Sequence, residues 1–353
     1  MSHVKIKFVS RKVSKVRWKP KDSSVFVTGS YDDEKNNICV WKFPDLSMKQ
    51  DDENEIDEDP QLTACLPFKG CVTDLKVVTE NLLFASSSLG DVHIVNYSDE
   101  EVNCVHTWKN THSFSNGSAS VTGLSVKGQE LVSVGEDGKL CLFNYSSRQK
   151  VQEIEGSDVC SYTAVTYLRH QEICAGNSLG YLQLWDLRTT SEAANHLLHL
   201  SREQQGVSAL NVHPTQSHIL AAGYEDGILS IWDMRNDRKP MCFLEGHSGP
   251  ISELMFHPSN PDFLYTCSWD GSVWQWDSSG LRSSASYAST NDSQSQTATK
   301  GNPWLLCDAN RQKLEVLSLF SSSTCVNTID LIGSSLIWGT DNEELCILNN
   351  ILV

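Results

Sequence analysis

Residues 246–277 read GHSGPISELMFHPSNPDFLYTCSWDGSVWQWD. A Gly-His pair opens the stretch and Trp276-Asp277 closes it. Ile251–Phe256 and Phe263–Ser268 are apolar runs of strand length, separated by a loop holding Pro258, Asn260 and Pro261. Asp270-Gly271 supplies the positive-φ position of a tight hairpin. On the strand that follows, Val273 and Gln275 take one face and Trp274 and Trp276 the other, because side chains alternate with period two. Such a sheet is too small to bury its own faces, so it needs stacked copies of itself.

The copies are present. Strands ending at like places read ICVW to Trp41, VHIV to Val95, LCLF to Phe143, LQLW to Trp185, LSIW to Trp232, VWQW to Trp276 and LCIL to Leu348. Upstream of each lie a turn and an apolar run, as in LVSVGEDG and ILAAGYEDG, and before that a further strand, as in VSKVRW, VTDLKVV and VSALNV. Outer strands are more variable: QLTACLPF, VNCVHTW, KVQEIEG, HLLHLS, PMCFLEG and KLEVLSLF, six for seven units. The segment Val4-Lys5-Ile6-Lys7-Phe8 supplies the seventh, with Val4, Ile6 and Phe8 expected to pack inward and Lys5 and Lys7 to face water. The fold class is therefore all-β, a seven-bladed propeller closed by its N-terminal strand. It is expected to form a single domain over residues 1–353. Two insertions interrupt it. Residues 44–60 are acidic, and residues 278–302 are rich in Ser and Thr, with little to bury, and are expected to be disordered.

Composition narrows the function. The 353 residues carry a formal charge of −16, which argues against a general nucleic-acid binder. The charge is uneven. Lys5, Lys7, Arg11, Lys12, Lys15, Arg17, Lys19 and Lys21 crowd the start, and residues 45–59 are strongly acidic. These surfaces can bias partner choice and association rate. No apolar run is long enough to span a membrane, and the first residues lack an apolar signal core, so neither membrane insertion nor secretion is expected. The 12 cysteines include no CxxC. Cys39, Cys141 and Cys346 recur at one strand position, the pattern of small packing residues. They are read as reduced thiols of a cytosolic or nuclear protein.

The GH…WD repeat resembles the WD40 family. That resemblance implies a buried hydrogen-bonded tetrad in the sixth unit: His247, Thr266, Asp270 and Trp276. The chemistry agrees, since a buried Asp needs donors, a His can bridge it to a hydroxyl, and Trp offers an indole N–H. The set mimics a Thr-His-Asp nucleophile but is read as structural. Fragments recur as Ser133, Asp137 and Phe143, and as Asp226 and Trp232, while Leu179 stands where the fourth unit would have its Asp. No phosphate loop, GxSxG or HExxH is present, so no catalytic residues, cofactor or metal are expected. His196 and His199 are read as outer-strand residues without acidic or Cys co-ligands. Trp269 precedes the hairpin Asp, where Glu136 and Glu225 stand in other units, and Tyr31 is its counterpart in the first. Exposed Trp and Tyr dominate interface hot spots, so both are candidate partner contacts.

Longer strings narrow the resemblance further. KFVSRKVSKVRWKP, FVTGSYDDEKNNICVW, VGEDGKLCLF, HPSNPDFLYTCSWDGSVWQWD and CVNTIDL together resemble the family of forty-three-kilodalton WD40 nucleoporins of the Y-shaped outer-ring complex of the nuclear pore. The resemblance implies a non-enzymatic scaffold, monomeric as a propeller within a hetero-oligomer. It implies nucleoporin partners, chiefly a short-arm α-solenoid, with a role in protein and mRNA transport and at kinetochores in mitosis. One alternative stays open. Trp185-Asp186-Leu187-Arg188 and Trp232-Asp233-Met234-Arg235 both read WDxR, similar to WD40 substrate receptors of cullin-type ubiquitin ligases.

Overall fold

Apolar runs split by Gly- and Asp-containing turns pair with their chain neighbours, and the result is a series of antiparallel sheets. A computed structural model describes residues 4–32, 35–44, 59–156, 160–188, 196–199, 205–235, 240–281, 302–306 and 314–351. These residues form seven four-stranded sheets, the arrangement of a seven-bladed β-propeller. Blade 1 consists of Val13–Lys19, Asp22–Ser30, Asn36–Lys42 and Gln61–Phe68. Blades 2 to 5 span residues 72–108, 121–155, 162–199 and 207–245. Blade 6 consists of Ile251–Phe256, Phe263–Ser268, Ser272–Asp277 and Glu315–Ser321. The chain divides into two compact units, residues 1–153 with 327–352, and residues 154–326 with 353. Blades 7, 1, 2 and 3 belong to the first, and blades 4, 5 and 6 to the second.

Blade 7 joins the two ends of the sequence. Val326–Ile332, Ser335–Thr340 and Glu344–Leu348 are completed by the N-terminal Lys5–Phe8, with Lys5 opposite Ile347 and Phe8 opposite Glu344. The strand is where the sequence places it and Lys5 faces water as expected, but the three side chains after it are not placed as expected. Ile6 and Phe8 are 53% and 61% exposed, and Lys7 is half-buried. Lys7 Nζ lies 3.2 Å from Asp59 Oδ2, at the end of the acidic insertion. A long aliphatic stem can cover the sheet while its ammonium reaches a carboxylate, so lysine takes the place assigned to an apolar residue.

The first strand of every blade has one edge without a sheet partner, and buried backbone groups must be satisfied. Side chains of the preceding blade do this at repeated positions. In the first unit, Asn327 Nδ2 donates to Val13 O at 3.1 Å, Val16 N donates to Thr328 Oγ1 at 3.2 Å, and Trp18 N donates to Asp330 Oδ2 at 2.6 Å. Leu124 N donates to Asp74 Oδ2 at 2.9 Å, repeating the Val16–Thr328 link two blade pairs further on. In the second unit, Thr163 Oγ1 donates to Val207 O, and Phe256 N donates to Asn211 Oδ1 at 3.2 Å. These match the Asn327 and Asp330 links position for position. Polar residues in otherwise apolar strands thus fasten blade to blade.

Between the blades the core is apolar and aromatic, with Val16, Phe26, Phe84, Tyr224, Trp232 and Trp338 fully buried. The Ser/Thr-rich insertion is anchored at both ends. Ser278 Oγ donates to Asp262 O at 2.8 Å, and Leu281 is buried. At the other end Asn302 Nδ2 lies 2.9 Å from His213 Nε2, and buried Trp304 donates its indole N–H to Pro261 O at 2.8 Å. Residues 282–301, and 45–58 of the acidic insertion, lie outside the described residues.

Asp74→Ala would strand the Leu124 amide and leave Arg17, whose guanidinium lies 3.7 Å from Asp74 Oδ1, without its carboxylate. The expected loss is about 2–3 kcal/mol of stability, read as a lower urea midpoint, with Asp74→Asn losing less.

Candidate functional site

The hairpin end of blade 6 holds the tetrad residues. Gly271 adopts φ 84°, and a Cβ there would lie 2.1 Å from Ser322 O, so only glycine turns this corner. Gly246 faces the paired rings of Trp274 and Trp276. An added Cβ would meet Trp276 Cη2 at 2.8 Å and Trp274 Cζ3 at 2.9 Å. The absence of a side chain lets the chain pass over the rings and deliver His247 to the sheet.

Four side chains then meet. His247 Nε2 lies 2.7 Å from Thr266 Oγ1, which also accepts the Trp276 indole N–H at 3.0 Å. His247 Nδ1 lies 2.9 Å from Ser272 Oγ and 3.3 Å from Asp270 Oδ2. Ser272, which no sequence motif marks, bridges the His and the Asp, donating to Asp270 Oδ1 at 2.5 Å. The amides of Ser248 and Ser272 each donate to Asp270 at 2.9 Å. Burial holds the His247 imidazole below its ordinary value against the pull of Asp270. Burial alone would raise Asp270, but the Ser272 hydroxyl, the two amides and His247 together hold it below the usual carboxylate range. Thr266 is fully buried and its oxygen already serves two nitrogens, so no substrate can reach it. The arrangement braces a hairpin.

Blade 3 holds a second such set. His112 Nε2 lies 2.7 Å from Ser133 Oγ and its Nδ1 lies 2.8 Å from Asp137 Oδ1. Ser133, Asp137 and Phe143 were legible in the sequence, but His112 was not. It follows Thr111 rather than Gly, and a small extra hairpin, Ser113–Phe114 with Gly117–Ser118, separates it from the first strand of its blade.

The remaining blades form a graded series. Thr266 stands two residues past Leu264, the partner of Trp276. The same count reaches Thr28 in blade 1, which accepts the Trp41 indole at 2.9 Å. In blade 5 it reaches Ala222, and Ser230 instead accepts the Trp232 indole at 2.7 Å. Asp226 there caps its own hairpin by accepting from Ile228 N at 3.0 Å. In blade 4 the count reaches Ala175, and among the described residues no hydroxyl replaces it and the buried Trp185 Nε1 has no acceptor. Trp185 lines a cavity of about 340 Å³ with Leu168, Arg169, Glu172, His218 and Met234. Asn177 takes over the hairpin-capping work there, its Oδ1 accepting from Leu179 N at 3.1 Å and Tyr181 N at 2.9 Å.

Trp269 stands on the same hairpin as the tetrad and is 57% exposed, and its backbone N–H donates to Pro250 O at 3.0 Å. Tyr31 holds the matching backbone place, its N donating to Lys12 O at 3.2 Å. Its side chain differs. Tyr31 is half-buried, its hydroxyl donates to Asp341, and the Lys12 ammonium sits 5.7 Å from its ring centroid. In blade 5 the matching hairpin exposes Glu225 and Asp226, and it packs closely on the backbone of His247: a Cβ on Gly227 would lie 2.4 Å from His247 O.

The WDxR arginines turn back on their own aspartates. Arg188 Nε lies 2.9 Å from Asp186 Oδ1 and Arg235 Nε lies 2.9 Å from Asp233 Oδ1, each with a second contact to the other oxygen. The Arg188 side chain and amide hold the Asp186 carboxyl down to about 2. His196–His199 is the outer strand of blade 4, and the histidine side chains lie outside the described ones. Among the described residues no three His, Cys, Asp or Glu side chains are grouped as metal ligands.

Seven four-stranded blades, one with a complete buried GH…WD tetrad and one with a buried His-Ser-Asp set, define a WD40 β-propeller protein. A β-propeller family model, described as nucleolar protein 10-like, N-terminal domain, matches residues 123–302. The human nucleoporin Nup43 is 34% identical over 99% of this chain and 100% of its own length, and the mouse Nup43 is 35% identical over 98% of each. A Dictyostelium discoideum nuclear pore complex protein, nup43, is 24% identical over 78% of this chain and 84% of its own. The chain belongs to the Nup43 family of nucleoporins.

Two substitutions with opposite outcomes test the series. Thr266→Val strands the Trp276 indole and one His247 nitrogen, and lowers stability by about 2–3 kcal/mol in denaturant unfolding. Ala175→Ser offers Trp185 the missing oxygen and raises stability by about 1 kcal/mol in the same assay. A pH series gives a further check. His247 has a folded pKa below its unfolded one, so the unfolded chain binds the proton first and stability falls as pH drops below about 6.5. His247→Gln should make the fall between pH 7 and 5 shallower, measured as unfolding midpoint against pH.

Proposed function

We propose that the chain is a non-enzymatic scaffold and protein-interaction subunit of the nuclear pore outer ring, the Y-shaped complex, where it supports pore assembly and nucleocytoplasmic transport. The observation that carries this is near full-length relatedness to proteins named Nup43. A braced hairpin bearing an exposed Trp269 supports a docking role, because a rigid support binds with little ordering cost. Trp269 is the leading contact. Tyr31, held by Asp341, offers a pre-positioned ring in its own blade. Glu225 and Asp226 next to the Trp269 hairpin favour a partner surface with an apolar side chain flanked by Lys or Arg. An amphipathic helix of a short-arm α-solenoid nucleoporin has that form. The nuclear pore is the proposed location, and a role at kinetochores in mitosis is part of the same reading. The comparisons give no support to a ligase substrate receptor, and the paired Arg188 and Arg235 favour a local structural role.

Affinity purification of the tagged full chain from nuclear envelopes tests this. The expected result is recovery of outer-ring nucleoporins. Trp269→Ala should weaken that recovery by about tenfold or more in affinity. Substituting Arg188 and Arg235 should leave it unchanged. Unaltered affinity in Trp269→Ala would remove Trp269 from the account, and recovery of a cullin adaptor in place of nucleoporins would overturn the scaffold reading.

A further inference from the structure

Cys39 and Cys65 face each other on the last two strands of blade 1, directly opposed in antiparallel register. Their sulfurs are 3.2 Å apart. Opposed residues in such a ladder have Cα atoms about 4.5–5.5 Å apart, inside the roughly 4.4–6.8 Å that a disulfide spans, so a bond needs no movement of the strands. The two thiols differ in access. Cys65 is exposed and Cys39 is half-buried behind it. Burial first, and then the thiol and charge of Cys65, push the Cys39 thiol up, while the Arg11 guanidinium pulls it down. An oxidant therefore meets Cys65 first, and Cys39 stands in line to resolve the product. Cys104, the other exposed cysteine among those described, lies against Thr107 Oγ1 at 3.4 Å and His93 Nδ1 at 3.8 Å, and serves as an internal reference.

We propose that Cys39 and Cys65 are a reversible redox pair that staples the outer strand of blade 1. The Cys65 thiolate attacks a sulfur of a small-molecule disulfide such as oxidised glutathione, forming a mixed disulfide and releasing one glutathione thiolate. Cys39 gives its proton to solvent and attacks the Cys65 sulfur, which forms the Cys39–Cys65 bond and releases the second thiolate. Two protein thiols are oxidised to one disulfide, and one glutathione disulfide is reduced to two thiols. The bond closes a loop that contains the acidic insertion. It also ties down Gln61–Phe68, a largely exposed strand whose register shifts opposite Val40 and Trp41. In a reducing compartment the pair rests as thiols, so the staple reports a shift toward oxidation. This inference is independent of the nuclear pore reading.

The test uses the full chain equilibrated in graded mixtures of oxidised and reduced glutathione, then alkylated and mapped by mass spectrometry without reduction. A linked Cys39–Cys65 peptide should appear at ratios where Cys104 is still mostly free, and should vanish with excess dithiol. Oxidation should raise the thermal midpoint of the wild-type chain and leave Cys65→Ser, a surface change, where it was. Free alkylation of both thiols at ratios that already modify Cys104 would overturn the proposal. So would a glutathione adduct on Cys65 that never passes to Cys39.

Discussion

The open backbone edge of each blade's first strand is the constraint on which the rest depends. A four-stranded sheet satisfies its own interior but leaves that edge bare, and burying a bare amide costs more than most single contacts return. Here the links at Val13, Val16, Trp18, Leu124, Val207 and Phe256 all come from short polar side chains one blade back. The spacing of those donors and acceptors, at the second, third and fifth residues of the strand, is set by sheet geometry. Apolar packing brings the blades together, and these links set how they mate.

The same economy explains why the most recognisable motif says little about activity. His247, Thr266, Asp270 and Trp276 share the residue types of an acyl-transfer site, but they are spent on one another inside the blade. What they provide is a hairpin tied to its own sheet by hydrogen bonds at His247, Thr266 and Asp270. Trp269 sits one residue from that brace and is the large apolar side chain the hairpin leaves in water. Stiffness beneath and exposure above are the two conditions for an anchor residue at a protein interface.

The repeat was legible because Trp276, Trp232, Trp185 and Trp41 mark the same strand end, and because glycine-containing turns recur before it. Blade number, strand order and the N-terminal strand's place in the last sheet all follow from that period. The side-chain direction of the N-terminal strand did not, because Lys7 answers to Asp59, 52 residues away, which no local pattern encodes. His112 escaped for a related reason: a two-stranded hairpin shifts its spacing to the next strand, and the Gly that marks such histidines is absent. Asp74, Asn211, Thr163 and Asp330 did carry a signal, as polar residues inside apolar strands. Their meaning becomes clear only when the neighbouring blade's amides are in view. Tyr31 matches Trp269 by position, but its hydroxyl reaches Asp341, more than 300 residues on in sequence.

The proposed function turns on a braced hairpin that presents Trp269 to another nucleoporin. Replacing Trp269 by a photo-crosslinking amino acid in cells, and identifying what it captures at the nuclear envelope, tests this most directly. The expected result is capture of an outer-ring nucleoporin from position 269 and none from Leu317 on the outer strand of the same blade. Capture from Leu317 alone, or of no nucleoporin from either position, would contradict it.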